Sequence, residues 1–472
     1  MRKMAWAVAV CTAGLAGNTI AGGNHHGTPS FDYGVFQQRQ LQSFSPLLFG
    51  VTGPVQASST ESVDAATANA DPSALITVAK SLRVHTVAAS ADLGANIDMM
   101  AFWPNDKAPT HLIVCNEEGV TKPGVQRVSL ANGKVETILT GTVACDPVRR
   151  TPWGTIIVGE ENGAIGRLIE ILDPLTTTGV TFDDKTGQSS DPSKVVSRDA
   201  VGRLSFEGIA LYPNGVMYYG DEKRPSNGAP GGAYFKFIPS NLWTGAGKIT
   251  NLADSPLVAG TVYGLRLGLR NGGTDFGQGS NTGEGKWIAV PGDSVSDLSN
   301  YAAQQKLTGY YRPEDADIDQ DELADGNVRF CANNTGNESQ NHNWGETICI
   351  TDGTLDAATS NTAVPAVQYF VIGTPDFAMM DNIAFQPGRG NWVINEDGDG
   401  PEVGRNNDIW DCLGDGEDAD GLSDGCIRVA TLNDLTAEST GGIFNADGDA
   451  YYVSIQHNVT GHGVILKITG WR

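Results

Sequence analysis

The sequence predicts an all-β fold: a six-bladed β-propeller preceded by an irregular N-terminal extension. Three observations indicate this fold. Glycine is abundant, with 59 among 472 residues; short apolar runs are bounded by turn residues from about residue 95 onward; and one kind of turn recurs along the chain. Short apolar runs between glycine turns are typical of antiparallel strands and not of helical bundles.

The predicted strands are short runs rich in β-branched and aromatic side chains. Examples are Thr110–Val114, Gly154–Val158, Val216–Tyr219 and Ala450–Ile455. Several runs follow related turns, namely Pro213-Asn214-Gly215, Ala324-Asp325-Gly326, Gln386-Pro387-Gly388 and Ala446-Asp447-Gly448. Asn-Gly and Asp-Gly suit hairpin turns because these residues tolerate a positive φ.

The turn glycines define a repeat. The intervals between Gly215, Gly326, Gly388 and Gly448 are 111, 62 and 60 residues. A repeat near 60 residues, each unit a small antiparallel sheet, is typical of a propeller. Residues 95–472 then hold about six units of this length. Because the first interval is close to two repeats, we expect that one blade there has lost its turn. A two-sheet sandwich is the alternative, but it needs less chain.

The N-terminal residues predict export. Arg2 and Lys3 precede the apolar run Met4–Gly17, and small residues follow up to Ala21, so residues 1–21 resemble a secretory signal peptide. The apolar run is too short to span a membrane. We therefore expect a periplasmic or extracellular protein without a membrane span. Residues 22–94 form the predicted extension, which partly wraps the domain of residues 95–472 and is flexible near Ser58–Asp71.

The charge of the chain excludes some partners. Without residues 1–21, 29 basic residues face 55 acidic ones, a net charge of −26. Such a charge repels nucleic acid and anionic membranes. It favours a protein that binds divalent cations, although acidic surfaces also serve solubility alone.

Six cysteines follow the predicted signal peptide. In an oxidising compartment their default fate is disulfide formation. The pairs that are local in sequence are Cys331 with Cys349 and Cys412 with Cys426. Cys115 and Cys145 remain, and they form either a third disulfide or a site where one thiolate binds metal.

Acidic residues lie next to several predicted strands, where a propeller would direct them toward its channel. The segments are Cys145 with Thr151–Asn162, Gly202–Gly208, Tyr311–Asp317, and Asp381–Phe385 with Glu438–Gly441. Carboxylates that converge in one channel need cations. Oxygen ligands favour calcium, and a thiolate among them would add a preference for a transition metal.

At these segments the chain resembles the PhoX-type bacterial alkaline phosphatases. The shared motifs, in order, are Thr151–Thr155 leading to Glu160-Glu161, Gly202–Glu207, Arg312–Asp315, the strand that begins at Asp381-Asn382, and the final strand ending at Gln456-His457. The resemblance extends from about Ala101 to the C-terminus.

The resemblance implies a six-bladed propeller with a pair of irons and several calcium ions in its channel. It also implies an enzyme that hydrolyses small-molecule phosphate esters. We expect this enzyme to be a monomer. Arg312 would hold the phosphate, and Arg312, Glu314 and Glu160 would be the catalytic residues. The implied metal ligands are Cys145, Glu160, Glu161, Glu207, Glu314, Asn116, Asp381 and Glu438. For Cys145 we favour the ligand over the disulfide.

Departures from the family leave alternatives open. Asp146–Arg150 stands where the family has glycines, Phe206 replaces a histidine, and the twin-arginine signal is missing. The alternatives are a calcium-dependent propeller hydrolase of another ester class and a non-enzymatic, calcium-stabilised secreted binding protein. Elsewhere, we expect Glu396–Gly400 and Asp415–Asp424 to be surface structural calcium sites or plain acidic loops, and His457 to be an ordinary surface or packing residue.

Overall fold

The structure is a computed structural model that describes residues 33–225, 231–245, 247–268, 282–338, 343–398, 400–416 and 418–472. The predicted signal peptide, residues 1–21, lies outside the described residues. None of the described helices combines the length and the apolar character that a bilayer-spanning segment needs.

The described chain is built mainly of short strands. In chain order they are β1 (Ile76–Val78), β2 (Arg83–Ala89), β3 (Ile97–Trp103), β4 (His111–Asn116), β5 (Pro123–Ser129), β6 (Val135–Thr140), β7 (Cys145–Arg150), β8 (Ile156–Glu160), β9 (Leu168–Ile171), β10 (Val180–Asp183), β11 (Gln188–Ser189), β12 (Val195–Ser197), β13 (Phe206–Leu211), β14 (Met217–Asp221), β15 (Tyr234–Pro239), β16 (Gly260–Leu267), β17 (Gly283–Ala289), β18 (Pro313–Ile318), β19 (Asn327–Asn334), β20 (Glu346–Thr354), β21 (Ala366–Ile372), β22 (Met380–Phe385), β23 (Trp392–Glu396), β24 (Asp408–Cys412), β25 (Cys426–Leu432), β26 (Glu438–Phe444), β27 (Ala450–Gln456) and β28 (Val464–Thr469). The α-helices are α1 (Tyr33–Ser43), α2 (Ser45–Leu48), α3 (Ala65–Ala70), α4 (Leu298–Gln305), α5 (Gln320–Ala324), α6 (Leu355–Thr359) and α7 (Gly400–Val403), and single 3-10 turns lie at Pro72–Leu75, Gly163–Ile165, Asp199–Val201, Leu252–Asp254 and Pro256–Val258.

The strands form four small sheets and one sheet of nine strands. The small sheets are β3–β6 with β10 and β11, β7–β9 with β12, β22–β25 with β1, and β26–β28 with β2; the large sheet contains β13–β21. Strands β3, β7, β13, β18, β22 and β26 contact one another in a closed ring. We call these the inner strands. Every residue of β3 and of β22 is buried, as expected for strands packed on both faces. The fold is therefore all-β and propeller-like, as the sequence predicts.

The recurring turns have the predicted conformation. Gly215, Gly326, Gly388 and Gly448 all have a positive φ. Each lies between an inner strand and the strand that follows it in the chain.

The expectation of a lost turn between Gly215 and Gly326 is wrong. This interval is long because β17 and α4 extend the chain between β13 and β18, which are neighbours in the ring. Within the described residues of the interval, no further strand joins the ring.

Two strands of the predicted extension belong to sheets of the ring. β1 pairs with β25, and β2 pairs with β28, the last strand of the chain. Part of the stretch predicted to be flexible forms α3, whose Ala68 is fully buried in the core beneath the last two sheets. The side chain of Asp64 caps this helix by accepting a hydrogen bond from the backbone of Thr67.

The two disulfides predicted from sequence proximity are present. Cys331 on β19 is bonded to Cys349 on β20, and Cys412 on β24 to Cys426 on β25. Each joins neighbouring antiparallel strands at directly opposed positions.

Candidate metal centre

Five of the inner strands begin with the same register. The first residue of each pairs with the last residue of the following strand, and the pairing is interrupted directly afterwards by a bulge. The opposed pairs are Ile97 with Asn116, Cys145 with Glu160, Phe206 with Asp221, Pro313 with Asn334, and Met380 with Glu396. A bulge changes the direction of the side chains at its position, and here it lies at the amino ends of the inner strands.

In all five strands the residue after this first position is acidic. These residues are Asp98, Asp146, Glu207, Glu314 and Asp381. The residue that follows the opposed strand is also acidic in four of the five cases: Glu117, Glu161, Glu222 and Asp397. In the fifth it is Thr335, whose Oγ1 donates a hydrogen bond of 2.7 Å to Glu314 Oε1. The repeated register therefore brings two tiers of carboxylates to one end of the channel.

These carboxylates line a cavity of about 200 Å³. Its lining consists of ten acidic side chains, one arginine, one glutamine and one histidine: Asp98, Glu117, Asp146, Glu161, Glu207, Glu222, Glu314, Asp381, Asp397, Glu438, Arg312, Gln456 and His457. So many buried negative charges with one guanidinium require further positive charge.

Several carboxyl groups of the cavity have raised pKa values because these groups are buried close together. Burial, increased by repulsion from neighbouring carboxylates, raises the pKa of Asp146 and of Glu207 well above the ordinary range. The same causes raise the pKa of Glu161 to about 10. Burial raises the pKa of Glu314 to about 8, although the nearby Arg312 guanidinium acts in the opposite direction. Without cations the cavity therefore retains protons at neutral pH.

Arg312 is fixed in the cavity by several carboxylates. Its Nε donates a hydrogen bond of 2.7 Å to Glu222 Oε1, and its Nη2 lies 3.2 Å from Glu314 Oε1 and 3.6 Å from Asp397 Oδ2. Its φ is +58°, which is uncommon for a residue other than glycine. Pro313 follows it and begins β18. The guanidinium is thus held in one place by groups from three strand pairs.

The cavity contains six of the residues predicted from the sequence: Glu161, Glu207, Arg312, Glu314, Asp381 and Glu438. Three others, Glu160, Asn116 and Cys145, do not line it.

Glu160 and Asn116 face away because each is the last residue of its strand, one position before the residue that lines the cavity. Glu160 Oε1 accepts a hydrogen bond of 3.0 Å from the backbone N–H of Val143. Asn116 Nδ2 donates to Gly124 O at 3.4 Å. Successive side chains of a strand point to opposite faces. Hence Glu161, and not Glu160, is the member of the Glu-Glu pair that reaches the centre.

Cys145 forms a disulfide with Cys115, so the prediction that its thiolate binds metal is wrong. Cys145 is the first residue of β7 and is fully buried in an apolar cluster that also contains Cys115. The bond joins β4 of one sheet to β7 of the next. Of the two outcomes left open by the cysteine count, the structure therefore has the disulfide.

This disulfide predicts that the processed, denatured and unreduced protein contains no free thiol. The double variant Cys115→Ser, Cys145→Ser should lose about 2–5 kcal/mol of unfolding free energy, the usual cost of removing a native disulfide, measured by denaturant titration. The variant Cys331→Ser, Cys349→Ser is the matched control and should show a loss of similar size. Two free thiols that map to Cys115 and Cys145 would contradict the assignment.

Several cavity residues were not predicted from the sequence. They are Asp98, Glu117, Asp146, Glu222, Asp397 and Gln456. Asp397 belongs to a segment expected to be a surface loop, and His457 was expected to be an ordinary residue; both line the cavity. The expectation for Glu396 is wrong as well, because this residue is fully buried and bound by Arg405 Nη1 at 2.7 Å. The unpredicted acidic residues share one feature, a place at the second position of an inner strand or directly after the strand that follows it, and this feature is visible only once the strand boundaries are known.

A larger cavity of about 490 Å³ lies at the opposite ends of the same strands. Its two arginines are already paired. Arg149 Nη2 lies 2.6 Å from Asp315 Oδ1, and Arg150 binds both oxygens of Asp106 at 2.7 and 2.9 Å. The excess of ten carboxylates over one guanidinium therefore marks the smaller cavity as the candidate site.

Comparison with known proteins relates this site to one family. The family model described as "Alkaline phosphatase PhoX" matches residues 137–458, more than half of the chain. Among solved structures, the chain is similar to PhoX from Pseudomonas fluorescens in complex with vanadate, described as a transition state analogue, with a TM-score of 0.63 and 15% identity over 89% of this chain and 98% of that one.

Weaker similarity extends to other solved structures. An aldose sugar dehydrogenase from Streptomyces coelicolor has a TM-score of 0.42 and 14% identity, covering 84% of this chain and 98% of that one. A gluconolactonase from Xanthomonas campestris has a TM-score of 0.41 and 14% identity, covering 88% and 96%. No curated protein matches the chain by sequence.

Proposed function

Since the chain belongs to the PhoX alkaline phosphatase family, we propose that it is a secreted, metal-dependent phosphomonoesterase that releases phosphate from small organic phosphate esters. The observation that carries this proposal is the cavity in which ten carboxylates surround the guanidinium of Arg312. A phosphate ester is an anion, and a cavity of this composition binds an anion only when cations neutralise the carboxylates.

The residues of the cavity fit hard cations such as calcium. One buried oxygen of Asp146 (Oδ1) and one of Glu207 (Oε2) have no hydrogen-bond partner among the described residues, and a cation would satisfy both. We propose Glu161, Glu207, Glu314, Asp381 and Glu438 as cation ligands. Bound cations would supply the charge that attracts the phosphate and stabilises its attacking and leaving oxygens. Iron held by a Cys145 thiolate does not fit, because this sulfur is bonded to Cys115.

Arg312 is the proposed phosphate-binding residue. A guanidinium presents planar N–H donors that match two phosphate oxygens. Glu222 and Glu314 hold its Nε and Nη2 atoms, so they orient the guanidinium before the ester arrives. Glu314 therefore contributes to the site through Arg312 as well as through the cations.

We also infer that the large sheet comprises two blades, β13–β17 and β18–β21, which gives six blades in all. Strands β17 and β21 pair over only two residue pairs, and both β13 and β18 belong to the ring of inner strands. Export is proposed on the basis of residues 1–21. Three disulfides within the propeller agree with an oxidising compartment.

The proposal predicts hydrolysis of p-nitrophenyl phosphate by the processed protein after chelation and reloading with calcium. Release of p-nitrophenol should depend on the added cation, and it should exceed release from bis(p-nitrophenyl) phosphate and from p-nitrophenyl acetate under the same conditions. These two substrates distinguish a monoesterase from a hydrolase of another ester class. A protein that binds the cation but releases no p-nitrophenol from the monoester would refute the proposed activity.

A further inference from the structure

Asp146 occupies the same structural position as three of the acidic residues discussed above. Glu207, Glu314 and Asp381 each follow the first residue of an inner strand, and Asp146 follows Cys145, the first residue of β7. The opposed residue across each strand pair and the bulge that follows are also equivalent. By register, the residue of β7 that faces the centre is therefore Asp146.

Cys145 lies on the other face of the same strand. Its position corresponds to that of Phe206 and Met380, which are fully buried in apolar clusters. Its sulfur is bonded to that of Cys115 in a disulfide. No sulfur atom thus lines the described cavity.

Two groups of carboxylates share Asp146. One consists of Asp98, Glu117 and Asp146, and the other of Asp146, Glu161 and Glu207; in each group, one oxygen from every residue lies within 4.8 Å of the others. Ligand oxygens on opposite sides of a calcium ion are separated by about 5 Å, twice the usual bond length. Each group therefore has the dimensions of part of one coordination shell.

Unpartnered oxygens provide independent support for the two groups. Asp146 is 5% exposed and Glu207 is 1% exposed. Oδ1 of Asp146 and Oε2 of Glu207 are buried without a hydrogen-bond partner among the described residues. Leaving a buried carboxylate oxygen unsatisfied is costly, and a cation would remove this cost.

We propose that Asp146 bridges two hard divalent cations, one held with Asp98 and Glu117 and the other with Glu161 and Glu207, in a centre without thiolate. The inference rests on the proposed metal dependence and specifies which residues make it. A carboxylate has two oxygens that can each bind a different ion. Sites of carboxylate oxygens alone suit calcium, magnesium and manganese, whereas thiolates select softer ions.

The test uses the full processed chain, stripped with a chelator and reloaded with Mn²⁺ alone. Two manganese ions that share a carboxylate are magnetically coupled, so the electron paramagnetic resonance spectrum should show an exchange-coupled pair. Asp146→Ala should abolish the coupling and lower the bound Mn²⁺ or Ca²⁺, measured by elemental analysis, by two equivalents. Glu117→Gln should affect one equivalent only. An Asp146→Ala variant that retains the coupled spectrum or both equivalents would overturn the proposal.

Controls separate this proposal from folding defects and from the proposed activity. The metal-free Asp146→Ala variant should unfold at the same temperature as the metal-free parent or higher, since it removes a buried oxygen, Oδ1, that has no hydrogen-bond partner among the described residues. The variant Cys115→Ser, Cys145→Ser should keep both equivalents and the coupled spectrum, and loss of either would refute a centre without thiolate. If the parent shows the coupled pair but does not hydrolyse phosphomonoesters, the bridge stands and the proposed function fails.

Discussion

Replacing Arg312 by alanine is expected to lower kcat/KM for p-nitrophenyl phosphate by roughly 30- to 1000-fold, which corresponds to about 2–4 kcal/mol for the loss of one preorganised charged donor. Arg312 is the one guanidinium that lines the described cavity. The measurement is steady-state hydrolysis with calcium present. Arg312→Lys should recover only part of the rate, because an ammonium group is a point charge and cannot replace the planar fork.

Two controls make this result specific. Arg83 is an exposed residue of β2, and Arg83→Ala should leave hydrolysis unchanged. Added guanidinium ion should partly restore the rate of the Arg312→Ala variant and have no such effect on Arg312→Lys. Equal kcat/KM values for the parent and the alanine variant, with equal cation content, would show that Arg312 does not bind the phosphate.

Removing divalent cations is expected to abolish hydrolysis and to destabilise the fold. A cation that binds only the folded state adds about 2.7 kcal/mol for each site when its free concentration is a hundred times Kd. Chelation should therefore lower the midpoint of thermal unfolding, and calcium in excess should restore it. An unchanged midpoint and unchanged activity after complete removal of cations would refute metal dependence.

The destabilisation by chelation should depend on pH. In the metal-free protein, burial raises the pKa of Glu314 to about 8 and that of Glu161 to about 10. The unfolded chain releases these protons near pH 4–5, whereas the folded chain keeps them to higher pH. Stability of the metal-free protein is therefore greatest at acidic pH and decreases as the pH rises from about 5, through 8 for Glu314 and through 10 for Glu161. With bound cations this decrease should be much smaller, because carboxylates that bind metal do not need protons.

The features predicted correctly from the sequence are those that depend on a few consecutive residues. The turns at Gly215, Gly326, Gly388 and Gly448 were recognised because a positive φ demands particular residues. Arg312 and Glu314 were recognised because they belong to a contiguous motif. Asp98 and Glu222 are single acidic residues at strand boundaries, and no local pattern distinguishes them from surface acids. Only the register between neighbouring strands shows that they meet.

The three errors at the site, at Asn116, Cys145 and Glu160, have the same origin, because in each case the next residue of the chain lines the cavity. Glu160 and Glu161 are adjacent, and a shift of one residue exchanges the face on which each side chain lies. Likewise, Cys145 and Asp146 are adjacent, and the bulge at the start of β7 decides which of them faces the centre. Motif matching identified the correct segments of the sequence. The direction of each side chain, however, depends on hydrogen bonds to a strand that lies elsewhere in the sequence.

The pairing of β2 with β28 has a consequence for the order of events during synthesis. The sheet that closes the ring combines the second strand of the described chain with the last, so the ring remains open until the C-terminal residues have been made. Asp98 and Glu438, which line one cavity, are separated by 340 residues of chain. The ligand set therefore does not exist in a nascent or partly translocated polypeptide. For a chain that is exported in the unfolded state, cations bind after the whole chain has crossed the membrane, from the supply available on the far side.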